Sequence, residues 1–109
     1  MRDDKERLVD ILDAIKILEK SLHPNRELHL LNELEFLGVI RCIEVLGEAC
    51  KNLSDDFKNK YPDVPWRQIA NMRNILIHQY FKIDTEKVEK VVKQDLPALK
   101  LKIQEIMKS

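Results

Sequence analysis

The sequence predicts an all-α protein, an up-and-down bundle of four long helices with short helical pieces between them. Three observations carry this. The 109 residues include only two glycines and four prolines, and 35% are charged, a composition that suits helices. Apolar residues recur at three- and four-residue spacing in several runs. No segment alternates apolar and polar residues with the period of two that a half-buried strand needs. One domain over residues 1–109 is expected. That length supports a modest core and would gain from a partner.

The first helix is predicted from about Asp3 to Lys20. Leu8, Ile11, Leu12, Ile15 and Leu18 make its apolar face, with Val9 and Ile17 beside it. Ser21 to Asn25, with Pro24, breaks it, and Leu28, Leu30 and Leu31 form a short helical lead-in. Asn32 with Glu35 three residues on has the pattern of a capping box. The second helix then runs to about Leu53. Its buried stripe is Phe36, Leu37, Ile40, Ile43, Leu46, Ala49, Cys50 and Leu53. Ser54 to Tyr61 reads as a short helix or turn. The run Tyr61-Pro62-Asp63-Val64-Pro65 is the clearest break, and Pro65 suits a first helical position. A third long helix follows, from Pro65 to about Phe81, with Trp66 as a core anchor. Asp84 or Thr85 can cap the next helix, whose face is Val88, Val91 and Val92. Pro97 kinks or restarts the chain, and Leu99, Ile103, Ile106 and Met107 form the last stripe.

Charge narrows the classes of function. The chain has 19 basic and 19 acidic residues, so no broad basic surface for nucleic acid is visible. RNA, if bound, is bound at a local site. Asp3, Asp4, Glu6, Asp10 and Asp13 interrupt the start, which excludes a secretory or membrane segment there and points to the cytoplasm. Cys42 and Cys50 are roughly 12 Å apart along one helix, too far for a disulfide, and read as small core residues. His29 and Glu33 share a helix face but lack further ligands, so they read as surface. His23 reads as loop. No metal or cofactor is expected.

The chain is organised around Arg73-Asn74-Ile75-Leu76-Ile77-His78-Gln79-Tyr80. On a helical wheel with Arg73 at 0°, Tyr80 falls near about 340°, Asn74 near about 100° and His78 near about 140°. Ile69, Met72, Ile75, Leu76, Ile77 and Phe81 fill most of the rest. A helix apolar nearly all round is buried on more than one side, and a buried guanidinium must be paired or held for a purpose. An interface arginine and a satisfied core histidine would also account for this pattern. Arg41 and Glu48, seven residues apart, share a face of the second helix. Their bland reading is a solvated or ion-paired face. Their functional one is a place in the crevice, orienting Arg73 or His78.

At these residues the chain resembles the HepT-like branch of the HEPN superfamily. The resemblance rests on Arg-x4-His-x-Tyr at Arg73, His78 and Tyr80, together with four further blocks in the same order. These are Leu12-Asp13-Ala14-Ile15, Ile40-Arg41 through Val45-Leu46-Gly47-Glu48-Ala49, Pro65-Trp66-Arg67-Gln68-Ile69 and Asp95-Leu96-Pro97. Gln79 stands where many relatives have glycine, at the variable position of the motif. The resemblance implies a small helical protein encoded beside a minimal nucleotidyltransferase. It implies a dimeric ribonuclease toxin with the motif at the shared cleft. It also implies that the partner transfers AMP to Tyr80 and silences the toxin.

The residue types fit that chemistry. RNA carries its own nucleophile, the 2′-hydroxyl beside each phosphodiester. Histidine titrates near neutral pH and can move its proton. Arginine can fork two donors onto the phosphate oxygens. One histidine cannot conveniently act as acid and base on opposite sides of an in-line displacement, and a two-fold dimer supplies a second Arg73 and His78. The expected function is a metal-independent endoribonuclease, with Arg73 and His78 catalytic and Asn74, Arg41 and Glu48 in support. The alternative is a non-catalytic helical subunit that binds nucleotide or a partner nucleotidyltransferase.

Overall fold

The computed structural model describes residues 3–22, 31–72, 74, 77–78, 82–83 and 85–108, with 77, 78, 82, 83 and 85 as backbone. The expected lead-in at Leu28 and Leu30, the loop at His23 and the cap at Asp84 lie outside the described residues, as does His29. The architecture is an all-α helical bundle. Helix α1 spans Asp4–Leu22 and α2 spans Glu33–Lys51. Two short helices follow, α3 at Asp55–Lys60 and α4 at Trp66–Ala70. Strands β1 (Ile77–His78) and β2 (Lys82–Ile83) form a small antiparallel pair with Ile77 opposite Ile83. The chain closes with α5 (Thr85–Lys90), a π-helical stretch at Val91–Asp95, and α6 (Leu96–Lys108).

Helix α1 packs along α2, α4 docks on α2, and α6 covers α1. The α1 face expected from the sequence is the buried one: Leu8, Ile11, Leu12, Ile15 and Leu18 are all in the core. Ile11, Ile15, Ile43, Leu46 and Ile103 are fully enclosed. Each such side chain contributes about 1.5–3 kcal/mol by leaving water. The α2 stripe differs at one residue. Leu37 is 51% exposed, whereas Val39 is buried. The cause is angular: Leu37 lies about 120° from Ile43 on the wheel, while Val39 lies about 40° away.

Local hydrogen bonds set the helix starts. Asn32 Oδ1 accepts from Glu35 N–H at 2.8 Å, and Glu35 Oε1 accepts from Asn32 N–H at 3.1 Å, which completes the capping box. Ser54 caps α3, its Oγ accepting from Phe57 N–H at 3.1 Å. Pro65 is the N-cap of α4 and the helix begins one residue later, at Trp66. The Trp66 ring is buried, packs against Phe57 at 5.8 Å, and donates its indole N–H to Tyr61 O at 3.0 Å. Lys102 on α6 pairs with Asp63 and so ties that helix to the turn before α4.

Two expectations are corrected. The third long helix was expected to run from Pro65 to about Phe81. Instead α4 ends at Ala70, helical backbone recurs at Met72 and Asn74, and Ile77–His78 is extended. A short apolar run with two β-branched isoleucines at residues 75–77 fits a strand as readily as a helix, and period alone does not separate them. Pro97 does not restart the chain. Helical backbone passes through it because the turn before it is widened: Leu96 N–H donates to Val91 O, five residues back. That opening suits a residue whose ring would crowd the carbonyl four positions earlier.

Candidate functional site

The site is built on the close approach of α2 and α4. Gly47 lies where the two helices touch. A Cβ there would sit 3.3 Å from the backbone oxygens of both Ile69 and Ala70. With hydrogen in that place, α4 lies directly against α2, and polar residues of both helices border one groove of about 1100 Å³. Helix α2 contributes Arg41, Val45 and Glu48, one residue per turn on the face away from the core. Arg67 on α4 and Asn71 and Asn74 beyond it form the opposing row. Arg7 and Asp10 of α1 and Lys58 of α3 stand at its edge.

Three residues expected to support the chemistry, Arg41, Glu48 and Asn74, therefore come together in one groove. All three are exposed to solvent. His78 lies in β1, so the helical wheel that sets Asn74 and His78 about 40° apart does not hold there. Arg73 and Tyr80 lie outside the described residues. Asn74, the residue that follows Arg73 in the sequence, borders the groove. Sequence reasoning missed Arg67 and Asn71. Their signal was present in the spacing Arg67, Asn71, Asn74, which puts three polar residues on one helical face.

The electrostatics of the groove are uneven. Its acids are engaged. Glu48 Oε1 accepts from the Asn52 amide at 3.2 Å, and Asp55 lies 3.8 Å from Lys58 Nζ. Asp10 and Glu44 have partners as well. Arg41 and Arg67, by contrast, have no carboxylate within ion-pair distance among the described residues. Two uncommitted guanidiniums can bind an anion bidentately. Cys50 also borders the groove, but burial pushes its thiol up to about 12, so it offers no nucleophile there. Burial also raises Cys42. Among the described residues no three His, Cys, Asp or Glu side chains cluster as metal ligands. The other side of α4 borders a second groove of about 620 Å³, lined largely by Val64, Ile69, Met72, Val91, Leu96 and Leu99.

Comparison with known proteins adds the family. The model of the family described as "Ribonuclease HepT-like" matches residues 11–106. The chain is 40% identical to the "Probable ribonuclease HepT" of Thermococcus cleftensis, covering 98% of this chain and 98% of that protein. It is 38% identical to the "Putative RNase MJ1380" of Methanocaldococcus jannaschii, over 94% of this chain and 95% of that protein. A "Putative RNase TTE0752" of Caldanaerobacter subterraneus is 32% identical over 72% of this chain and 88% of that protein. No solved structure matches the chain. No described helix is long and apolar enough to cross a membrane. A family match from α1 to α6, joined to relatives aligned almost end to end, means that this chain belongs to the HepT-like ribonuclease family.

Proposed function

We propose that the chain is a metal-independent endoribonuclease acting as a homodimer. Its biological role is the toxin of a toxin–antitoxin pair whose partner is a minimal nucleotidyltransferase. Membership in the family and the ribonuclease names of its relatives support RNA as substrate. The observation that supports the reading most is the shared groove of Arg41, Glu48 and Asn74, the last being the residue after Arg73 in the sequence.

In this mechanism His78 takes the 2′-hydroxyl proton, and the oxygen attacks the adjacent phosphorus. The bond to the 5′-oxygen breaks, that oxygen receives a proton, and a 2′,3′-cyclic phosphate remains. Arg73 stabilises the charge gathering on the non-bridging oxygens. His78 of the partner subunit supplies the proton on the opposite side, which is why the active unit is a dimer. Two apolar side chains support that assembly: Leu34 and Leu37 are exposed near the start of α2, outside the groove lining. The partner nucleotidyltransferase silences the enzyme by attaching AMP to Tyr80. The attached phosphate competes for the Arg73 guanidinium, and the nucleoside occupies substrate space.

The test is cleavage of single-stranded RNA in excess chelator. Products ending in 2′,3′-cyclic phosphate are expected. Activity that vanishes with chelation would overturn the mechanism.

A further inference from the structure

We infer that the α2–α4 groove seats single-stranded RNA beyond the scissile phosphate, with Arg67 and Arg41 on backbone phosphates and Asn71 on a base edge. This rests on the ribonuclease reading above and assigns the substrate path that the motif itself does not. Three observations carry it.

The first is charge. The whole chain is neutral, so phosphate must be held where cations are not already spent. Within the groove the acids are committed to other groups, whereas Arg41 and Arg67 have no ion pair among the described residues. An exposed, unpaired guanidinium gives up little on meeting a phosphate and gains a forked contact.

The second is size. The groove is open to solvent and spans about 1100 Å³. It suits an extended strand of more than one nucleotide.

The third is what the wall lacks. Trp66 is the one aromatic residue lining the groove among the described residues, and it is only 6% exposed, with its indole N–H committed to Tyr61 O. Bases therefore have no stacking platform there, unlike many single-strand binders. The available reader is an amide. Asn71 is exposed and offers both a donor and an acceptor, which can meet the Watson–Crick edge of an unpaired base, an edge that pairing closes off in a duplex. Binding dominated by phosphate contacts with mild base preference follows.

The experiment uses a fluorescein-labelled single-stranded RNA with every 2′-hydroxyl methylated, which lacks the nucleophile and cannot be cut. Anisotropy is followed across a salt series for the full chain. Arg67→Ala is expected to weaken binding roughly tenfold and to lower the slope of log affinity against log salt by about 0.7, the loss of one single-strand phosphate contact. Arg67→Lys should restore the slope, which a merely structural role would not produce. Asn71→Ala should keep the slope and flatten the difference between purine-rich and pyrimidine-rich probes. Lys16→Ala, on the exposed side of α1, serves as the surface-charge control. Unchanged affinity and slope in Arg67→Ala would overturn the assignment, as would a wild-type protein that fails to bind the probe or prefers duplex. Cleavage of unmodified RNA is scored separately. A protein that binds as expected but cuts nothing defeats the ribonuclease reading and leaves the groove standing.

Discussion

Ser54 and Asp4, fifty residues apart, are joined twice: Ser54 Oγ donates to Asp4 Oδ2 at 2.6 Å, and Ser54 N–H donates to Asp4 Oδ1 at 2.8 Å. The same Oγ accepts from Phe57 N–H. One carboxylate thus ties the first turn of α1 to the start of α3. The Ser54 side-chain bond, followed by its backbone bond, holds the Asp4 carboxyl below its ordinary value of 3.8.

A group held below its ordinary pKa stabilises the fold above that value and loses the contribution as pH falls through the folded-state value. Asp4→Asn should therefore lower stability by about 1 kcal/mol near neutral pH, a modest figure because the site is partly open to water. The gap between wild type and variant should close as pH drops below 3.8. Urea unfolding at neutral and acid pH measures both. A gap that widens in acid would contradict the assignment.

The two glycines of α2 should respond in opposite senses. Nothing lies within 4 Å of a Cβ placed at Gly38, so Gly38→Ala should gain about 0.5–1 kcal/mol from reduced unfolded-state freedom. At Gly47 the same change meets two backbone oxygens at 3.3 Å. Backbone cannot rotate away, and α4 is anchored by buried Trp66 and Ile69. Overpacking of about 1–3 kcal/mol then outweighs the helix gain. Midpoints of denaturant unfolding compare the pair directly.

His78→Ala should reduce kcat for RNA cleavage by about 10²–10⁴ through lost proton transfer. Arg73→Ala should cost a comparable amount through lost charge stabilisation. Single-turnover cleavage by protein with an intact circular-dichroism spectrum is the measurement. Full activity in folded His78→Ala would remove it from the mechanism.

The proposed dimer should depend on the exposed apolar residues near the start of α2. Leu37, half exposed in the single chain, carries enough apolar surface that Leu37→Glu should shift sedimentation from dimer to monomer and take cleavage with it. A wild-type protein that sediments as a monomer at micromolar concentration would sink the two-histidine mechanism.

Incubation with ATP and the cognate nucleotidyltransferase should add AMP to the intact mass, and Tyr80→Phe should abolish the increment. Inhibition that survives in Tyr80→Phe would instead favour simple capping by the partner protein.

The helical stripes were legible where hydrophobic side chains recur at regular spacing, as in α1. The capping box at Asn32 and Glu35 was legible because its bonds are local. Gly47 was not, since a contact made by the absence of a side chain leaves no hydrophobic trace. The Asp4–Ser54 tie spans most of the helical hairpin and has no local signature. Strand β1 was hidden by isoleucines that serve either backbone. In the groove, Arg41 and Glu48 could be paired by their seven-residue spacing. Arg67 and Asn71 looked like ordinary helix surface until α2 was seen beside them.

The widened turn before Pro97 also keeps the last helix in phase. From α5 onward the buried residues step from Val88 to Val91 and then, five positions on, to Leu96, before Leu99, Ile103 and Ile106 resume steps of three and four. A uniform α-helix would rotate Leu96 about 140° away from Val91. The extra residue therefore acts as a vernier, resetting the angular position of everything after it so that both halves address one core. The demand for that reset comes from the whole downstream stripe, not from the imino ring alone. Replacing Pro97 by alanine would remove the ring that the wide turn accommodates and still leave the helix with one residue too many for a regular spiral.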